Sequence, residues 1–288
     1  MLEKYLKIVN IFQFILNLII VIVKLPSHIK NRKIVKLNNK GTLNIIGNGP
    51  SLKDDYLKLI SEKNSESDYM AVNSFAVTDM YEIIKPSYYV ICDPAFFSDE
   101  VIDKFSALQN NVFTAINEKT KWNLTLFIHP NGQKHSPFIS TMNNKNVSIH
   151  FINNIPIIDG SQKFNNFLFK YQLANPLFQN VLVAAIYIGI QLKYSTINIW
   201  GADHSWHEDF ILGKDNIIYT PDKHFYDTEV NFTPHINAEG KPIKVYEEFT
   251  SLARVFKIYI SLQLYSEYVN CKIINRSTKT WIDAFERN

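Results

Sequence analysis

From residue 42 onward, strand-length apolar runs alternate with helical patterns, and the first such unit constrains the fold most. Thr42-Leu43-Asn44-Ile45-Ile46-Gly47-Asn48-Gly49-Pro50-Ser51-Leu52 carries an apolar strand through a glycine-rich turn into a helix. Repeated alternation of this kind is the sequence form of a mostly parallel α/β sheet with helices on both faces. Strands are expected at 43–47, 69–73, 88–92, 112–116, 147–151, 196–201 and 272–275, and helices at 52–61, 75–84, 176–192 and 246–268. In the last helix Tyr246, Phe249, Ala253, Phe256, Ile260, Leu264 and Tyr268 recur every three to four residues, which predicts a core-facing stripe. Residues 281–285 read as a closing helix packed on the sheet.

The glycine-rich turn is also the first functional signal. Two glycines let the backbone turn sharply and approach a ligand, while the unpaired N–H groups of the following helix favour an anion. Ser51 is placed to cap that helix, with Asp54 three residues on. The unit therefore points to a nucleotide or phosphorylated substrate, with an ordinary tight βα turn as the alternative.

Composition narrows the setting. With 288 residues and 46% hydrophobic content the chain can bury a full core, as one large domain or a domain with a small appendage, and disorder is excluded. Cys92 and Cys271 both lie in apolar runs, as buried reduced thiols do, which fits a reducing cytoplasm rather than a disulfide or metal site. The net charge is +3 and no basic face is interleaved with aromatics, so a nucleic-acid partner is not supported.

The first forty residues differ from the rest. Residues 8–23 are uncharged, and Lys24, His28, Lys30, Arg32, Lys33, Lys36 and Lys40 follow. A run of about 16 residues is shorter than the roughly 20 that span a bilayer, and no secretory cleavage site follows it. An in-plane helix with a basic collar on the cytoplasmic face of an inner membrane suits both length and charge. A helix packed on the domain or on a second subunit of a homo-oligomer is the alternative. The expected division is a membrane-associating helix and basic linker at 1–36 and one α/β domain at 37–288.

Four strand ends carry polar residues where an α/β sheet collects its chemistry. They are the loop from Gly47 to Ser51, Asn73-Ser74, Asp93-Pro94, and Gly201-Ala202-Asp203-His204-Ser205-Trp206-His207. Asn73, Ser74 and Asp93 can equally serve as helix caps or Asx turns.

The set IIGNGPSL, AVNSF, ICDPAFF and INIWGAD resembles the bacterial lipooligosaccharide sialyltransferases and the related Maf and hydroxymethylpterin-pyrophosphokinase-like proteins, over residues 42 to 285. The resemblance implies a single Rossmann-like fold, a GT-A variant with a lid, and metal-free transfer from a nucleotide sugar with no other cofactor. It implies that Asn48 and Asn73 hold a cytidine nucleotide sugar. Gly47, Gly49, Ser51, Ser74, Asp93 and Ser205, at the same strand ends, are the expected remainder of the nucleotide site. It places a catalytic histidine in the lid region, where His224 is the best-placed match, and a glycan or lipid-linked acceptor as the second substrate.

This chain departs from the family at three points. Asp93-Pro94 stands for Asn-Pro, Asn180-Val181-Leu182 for a Ser/Thr-Gly element, and Ser205 for the tyrosine that steadies the leaving phosphate. In their place stand two local groups: Asp203, His204, His207, Glu208 and Asp209, and then Asp222, Lys223, His224, Phe225, Tyr226 and Asp227. An inverting transferase needs a base near neutral pKa and donors for the departing phosphate. His224 can be the base, Lys223, Tyr226 and Ser205 the donors, and Asp203 or Asp227 the group that orients the imidazole. His204 and His207 with nearby carboxylates can instead bind a divalent metal, although their spacing matches no defined site. Trp206, Phe225 and Tyr226 can stack on a base or sugar. Arg276 or Ser277 can reach an acceptor or phosphate. Two other functions use the same features. A pterin-type pyrophosphokinase would bind ATP and magnesium on Asp93, Asp203 and Asp209. A membrane-bound scaffold would keep the fold without turnover.

Overall fold

The computed structural model describes residues 2–31, 41–93, 96–97, 103–129, 139, 141–152, 154–157, 159–222, 231–237 and 240–287. Its centre is an eight-stranded sheet built from β1 (Thr42–Ile46), β2 (Ser67–Val72), β3 (Tyr88–Ile91), β4 (Leu124–Ile128), β5 (Val147–Phe151), β8 (Thr196–Trp200), β12 (Lys272–Asn275) and β13 (Glu286–Arg287). The order is β13-β12-β8-β1-β2-β3-β4-β5, and each pairing is parallel. The chain starts at β1, builds outward to β5, and returns to the other side of β1 with β8. The strand order thus reverses between β1 and β8, the kind of switch point at whose carboxyl strand ends an open α/β sheet forms its binding crevice.

The sheet is buried on both faces, as its near-continuous apolar strands require. In β1, Leu43 and Ile45 enter one core while Ile46 enters the other. The first core is covered by α5 (Gln162–Lys170), α6 (Val181–Gln191) and α7 (Val245–Tyr268); the second by α2 (Leu52–Ser61), α3 (Met80–Ile84) and α4 (Asp103–Lys119). Buried Asn44 is satisfied inside the sheet, where its Oδ1 accepts from Asn198 Nδ2 at 3.1 Å and from Trp200 Nε1 at 3.0 Å. Helix α6 is buried from Leu182 to Ile190 without a polar stripe. A Cβ on its Gly189 would lie 2.8 Å from Leu43 Cδ2, so this glycine sets how closely the helix presses on β1.

The structure corrects several expected elements. Residues 112–116 belong to α4, where Val112, Phe113 and Ile116 face the sheet at helical spacing, and the strand beside β3 is β4 instead. Residues 281–285 form no helix, and only Glu286–Arg287 joins the sheet. The 75–84 helix is a 3-10 turn at Asn73–Val77 followed by α3. The 176–192 helix begins only at Val181, after Asn175–Pro176 pairs as β7 with β6 (Pro156–Ile157). In α7 the buried face is Leu252, Val255, Tyr259, Leu262 and Tyr265, whereas Tyr246, Phe249, Ile260, Leu264 and Tyr268 are exposed. A small antiparallel sheet of β9 (Ile211–Leu212), β10 (Ile218–Asp222) and β11 (Asn231–Pro234) precedes α7.

Helix α1 (Leu2–Asn31) rests on the α5 side of the domain. Asn17 and Val21 are buried, Phe14 meets Phe164 edge-on at 4.8 Å, and Asn17 Nδ2 donates to Asp159 O at 3.1 Å. The helix seats on a turn in which Asp159 and Gly160 have φ of 58° and 89°; a Cβ on Gly160 would come within 3.0 Å of Asn17 Nδ2. The opposite face exposes Ile11, Phe12, Ile15, Ile19, Ile22 and Val23. Among the described residues no helix is long and apolar enough to cross a membrane.

Candidate functional site

At the reversal point a cleft of about 510 Å³ opens between the ends of β1, β2, β3 and β8 and the N-terminus of α6. Gly47, Asn48, Gly49, Asn73, Asp93, Asp203 and Ser205 line it, so seven of the expected site residues converge on one cavity. Ser74 stands next to it, 3.4 Å from Asn48 Nδ2, and Ser51 is buried beneath it. Lys223, His224 and Tyr226 lie outside the described residues. Among the described residues no group of three His, Cys, Asp or Glu side chains is placed to hold a metal.

The glycines act on the protein itself. Gly47 N donates to Trp200 O and Gly49 N to Gly201 O, each at 2.8 Å, so the β1 and β8 chains stay joined past the ends of their strands. A Cβ on Gly47 would run into Gly201 O, and one on Gly49 would strike the Asp203 carboxylate and lie 2.7 Å from Gly201 O. Gly201 has φ of 60°, and its own Cβ would be 2.9 Å from Leu52 Cβ. These positions demand glycine for close backbone packing alone, with no ligand needed to explain them.

Asp203 is buried at the start of α2. Its Oδ1 and Oδ2 accept from Ser51 N at 3.1 and 3.2 Å, and its Oδ2 accepts from Ser51 Oγ at 2.8 Å. The helix is therefore capped by a carboxylate 152 residues away in sequence rather than by the Ser51 side chain. Asp55 performs a matching task one turn later: its Oδ2 accepts from Gly201 N at 3.0 Å and its Oδ1 from Thr278 N and Oγ1 at 2.8 and 2.7 Å. The C-terminal segment completes the clasp, with Ala202 N donating to Ser277 Oγ at 2.9 Å and Trp281 N to Asp203 O at 2.8 Å. Ser277 and Arg276 are thus structural. Arg276 forms a two-pronged pair with Glu62 at 2.6 and 2.9 Å and lies 4.8 Å from the Trp200 ring centroid. His207 and Glu208 also turn to this segment: the His207 ring packs on Trp281, and Glu208 accepts from Lys279 and from Trp281 Nε1. The Lys279 hydrogen bond and then that of Trp281 hold the Glu208 carboxyl below its ordinary range.

Besides the carboxylates of Asp93, Asp203 and Asp209 and the Ser205 hydroxyl, the polar walls of the cleft carry amides and one imidazole. Asn48 Nδ2 donates to Val72 O at 3.0 Å, which fixes the side chain, while its Oδ1 has no protein partner among the described residues. Asn73 takes a left-handed φ of 45°, a conformation asparagine tolerates. Its carbonyl accepts from Tyr89 Oη at 2.6 Å, and its buried Oδ1 has no protein partner among the described residues. A buried acceptor without a donor is costly unless something else supplies one.

His204, also left-handed at φ 53°, is packed against Trp206 and Tyr259 with ring centroids at 4.4 and 5.2 Å. Its Nε2 is 2.6 Å from Tyr259 Oη, and burial pushes its pKa down to about 3, so the ring is neutral at physiological pH. Asn180 joins them: its Nδ2 reaches Tyr259 Oη at 3.1 Å while its Oδ1 caps α6 by accepting from Val183 N at 3.0 Å. Asn180 could be found from sequence, since an Asn before an apolar run is an N-cap signal. Tyr259 could not, because it sits in mid-helix among many aromatics. Among the described residues the walls of the cleft carry no Lys or Arg.

No protein-family model matches this chain, and no curated protein matches it at a significant level. Fold and site define its class: a Rossmann-like α/β protein with a polar cleft at the switch point of a parallel sheet.

Proposed function

We propose that the chain is a glycosyltransferase of surface-glycan synthesis that takes a sugar, of the sialic or a related acidic type, from a CMP-linked donor bound in this cleft. The observation that carries the reading is the buried Asn73 Oδ1, without a partner among the described residues, at the strand end beside Asn48, an acceptor suited to a ribose hydroxyl or a base amine. Trp206, exposed at the rim, offers a face for a base or sugar ring. In the reaction the acceptor hydroxyl oxygen bonds to the anomeric carbon as the bond from that carbon to the phosphate oxygen breaks. The nucleotide phosphate leaves with the electron pair, and the hydroxyl proton passes to a base, the role proposed for His224.

The test is a thermal-shift panel of CMP, UDP, GDP and ADP, because a ligand that binds only the native state raises its stability. CMP and CMP-sugars are expected to raise Tm and Asn73→Ala to abolish the shift. A shift with ADP or ATP that requires magnesium would support the pyrophosphokinase instead, and silence across the panel the scaffold.

The exposed apolar face of α1 supports a place of action. Its six named apolar side chains face away from the domain, and the sequence that follows carries seven basic or imidazole groups from Lys24 to Lys40 and no acidic one. That pairing suits an anionic lipid surface, with α1 lying in its plane while its inner face stays on the domain.

A further inference from the structure

We propose that His204 is held as a neutral, Nδ1-protonated imidazole that donates a hydrogen bond to an anionic oxygen of the ligand in the cleft. The assignment rests on the nucleotide reading for the identity of that ligand, and on the hydrogen-bond chain behind the ring for its protonation.

The chain starts at the N-terminus of α6. Val183 N–H can only donate, so the Asn180 atom that receives it at 3.0 Å is the carbonyl oxygen. This fixes the amide, and its Nδ2 is the atom 3.1 Å from Tyr259 Oη. The phenol then accepts from Asn180 and has one proton of its own to give. Its two possible acceptors are Asn180 Oδ1 at 3.2 Å, already engaged by the helix, and His204 Nε2 at 2.6 Å. The short contact takes the proton. A hydrogen on Nε2 instead would point at the phenol oxygen and leave the phenol proton only Asn180 Oδ1, which the Val183 N–H already occupies. A phenol buried in the protein stays protonated, since burial raises its pKa far above the ordinary value. With Nε2 an acceptor, the proton of the neutral ring resides on Nδ1. That nitrogen has no protein partner among the described residues, and His204 forms part of the cleft wall.

The chemistry follows from the tautomer. A ring with Nδ1–H and an occupied Nε2 is a poor base for an acceptor hydroxyl but a fixed donor to an oxygen that gains charge. In the proposed transfer the departing phosphate oxygen gains that charge, and no proton leaves His204. In a wall whose described residues include Asp93, Asp203 and Asp209 but no Lys or Arg, a neutral donor stabilises the developing charge more than the charge already present, which is the difference that accelerates a step.

The test uses the full chain labelled with 15N-histidine, with His204→Asn to assign the resonance. The expected spectrum has a pyrrole-like, protonated Nδ1 and a pyridine-like Nε2; a protonated Nε2 in the wild-type protein overturns the proposal whatever the protein binds. Asn180→Asp keeps a good N-cap but cannot donate to Tyr259, so the phenol proton should turn to the new carboxylate and Nε2 should become protonated. An Nε2 that stays bare there overturns the relay. Titration with CMP, and separately with inorganic phosphate, is expected to move the Nδ1–H resonance. His204→Ala should weaken CMP roughly 10- to 100-fold, and His204→Asn, whose amide N–H occupies the Nδ1 position and tolerates the left-handed backbone, should recover part of the loss. A response to phosphate but to no nucleotide supports the donor role and sinks the nucleotide reading. A resonance unmoved by either probe overturns the donor role.

Discussion

Gly49→Ala is the sharpest test of how the cleft is built. A Cβ there would strike the Asp203 carboxylate and stand 2.7 Å from Gly201 O, against a backbone anchored by the 2.8 Å bond from Gly49 N. Displacing the carboxylate removes the cap of α2 at Ser51, worth about 1–2 kcal/mol. Crowding the Gly201 backbone adds about 1–3 kcal/mol of overpacking. The expected loss is therefore roughly 2–5 kcal/mol, or about 3–8 °C in Tm for a chain of this size. The assay is thermal and urea unfolding without ligand. Asp203→Ala alone should cost about 1–2 kcal/mol, and the double variant should cost about 1 kcal/mol less than the sum, because the side chain that clashes is gone. A Gly49→Ala protein with wild-type stability and lost nucleotide binding would refute this account and return Gly49 to the role of admitting a ligand.

Three further outcomes are expected. Asp55→Ala should destabilise by roughly 3–5 kcal/mol, read by urea unfolding, because it leaves Gly201 N and Thr278 N without their acceptor in a buried clasp; a cost under about 1 kcal/mol contradicts it. Burial pushes the His204 pKa down to about 3, so the unfolded chain takes up a proton that the native ring refuses. Its contribution is whole above about pH 6.5 and diminishes as pH falls towards 3, by about 2 kcal/mol at pH 5. The urea midpoint should accordingly drop less between pH 7 and pH 5 in His204→Asn than in the wild type, and equal slopes would show that the ring does not titrate on unfolding. Finally, Ile19→Glu with Ile22→Glu, both on the exposed face of α1, should cut pelleting with anionic vesicles by roughly tenfold or more while leaving Tm unchanged; undiminished pelleting removes α1 as the lipid-facing surface.

The sequence by itself determined the fold class and the main cleft, because both depend on local signals. Strand-length apolar runs specify a buried parallel sheet, and glycines and polar residues at their ends mark where loops must turn and converge. Asn48, Asn73, Asp93 and the Gly201–Ser205 stretch were legible for that reason, each standing just past a strand. Where two periods compete, local pattern fails: Val112 to Ile116 reads as a strand, yet tertiary burial selects a helix. In α7 two stripes share the helical period, and only the position of the sheet decides that Leu252, Tyr259 and Leu262 turn inward and Phe249 and Leu264 outward.

What each polar group does was decided by tertiary structure alone, since its partner lies far along the chain. Asp203 caps the helix that Ser51 begins; Asp55 holds Gly201 and Thr278; Tyr259 and Asn180, 79 residues apart, set the proton on His204. Side-chain chemistry can be listed from a sequence, but whether a carboxylate caps, orients or catalyses depends on which donors the fold brings within about 3 Å of it.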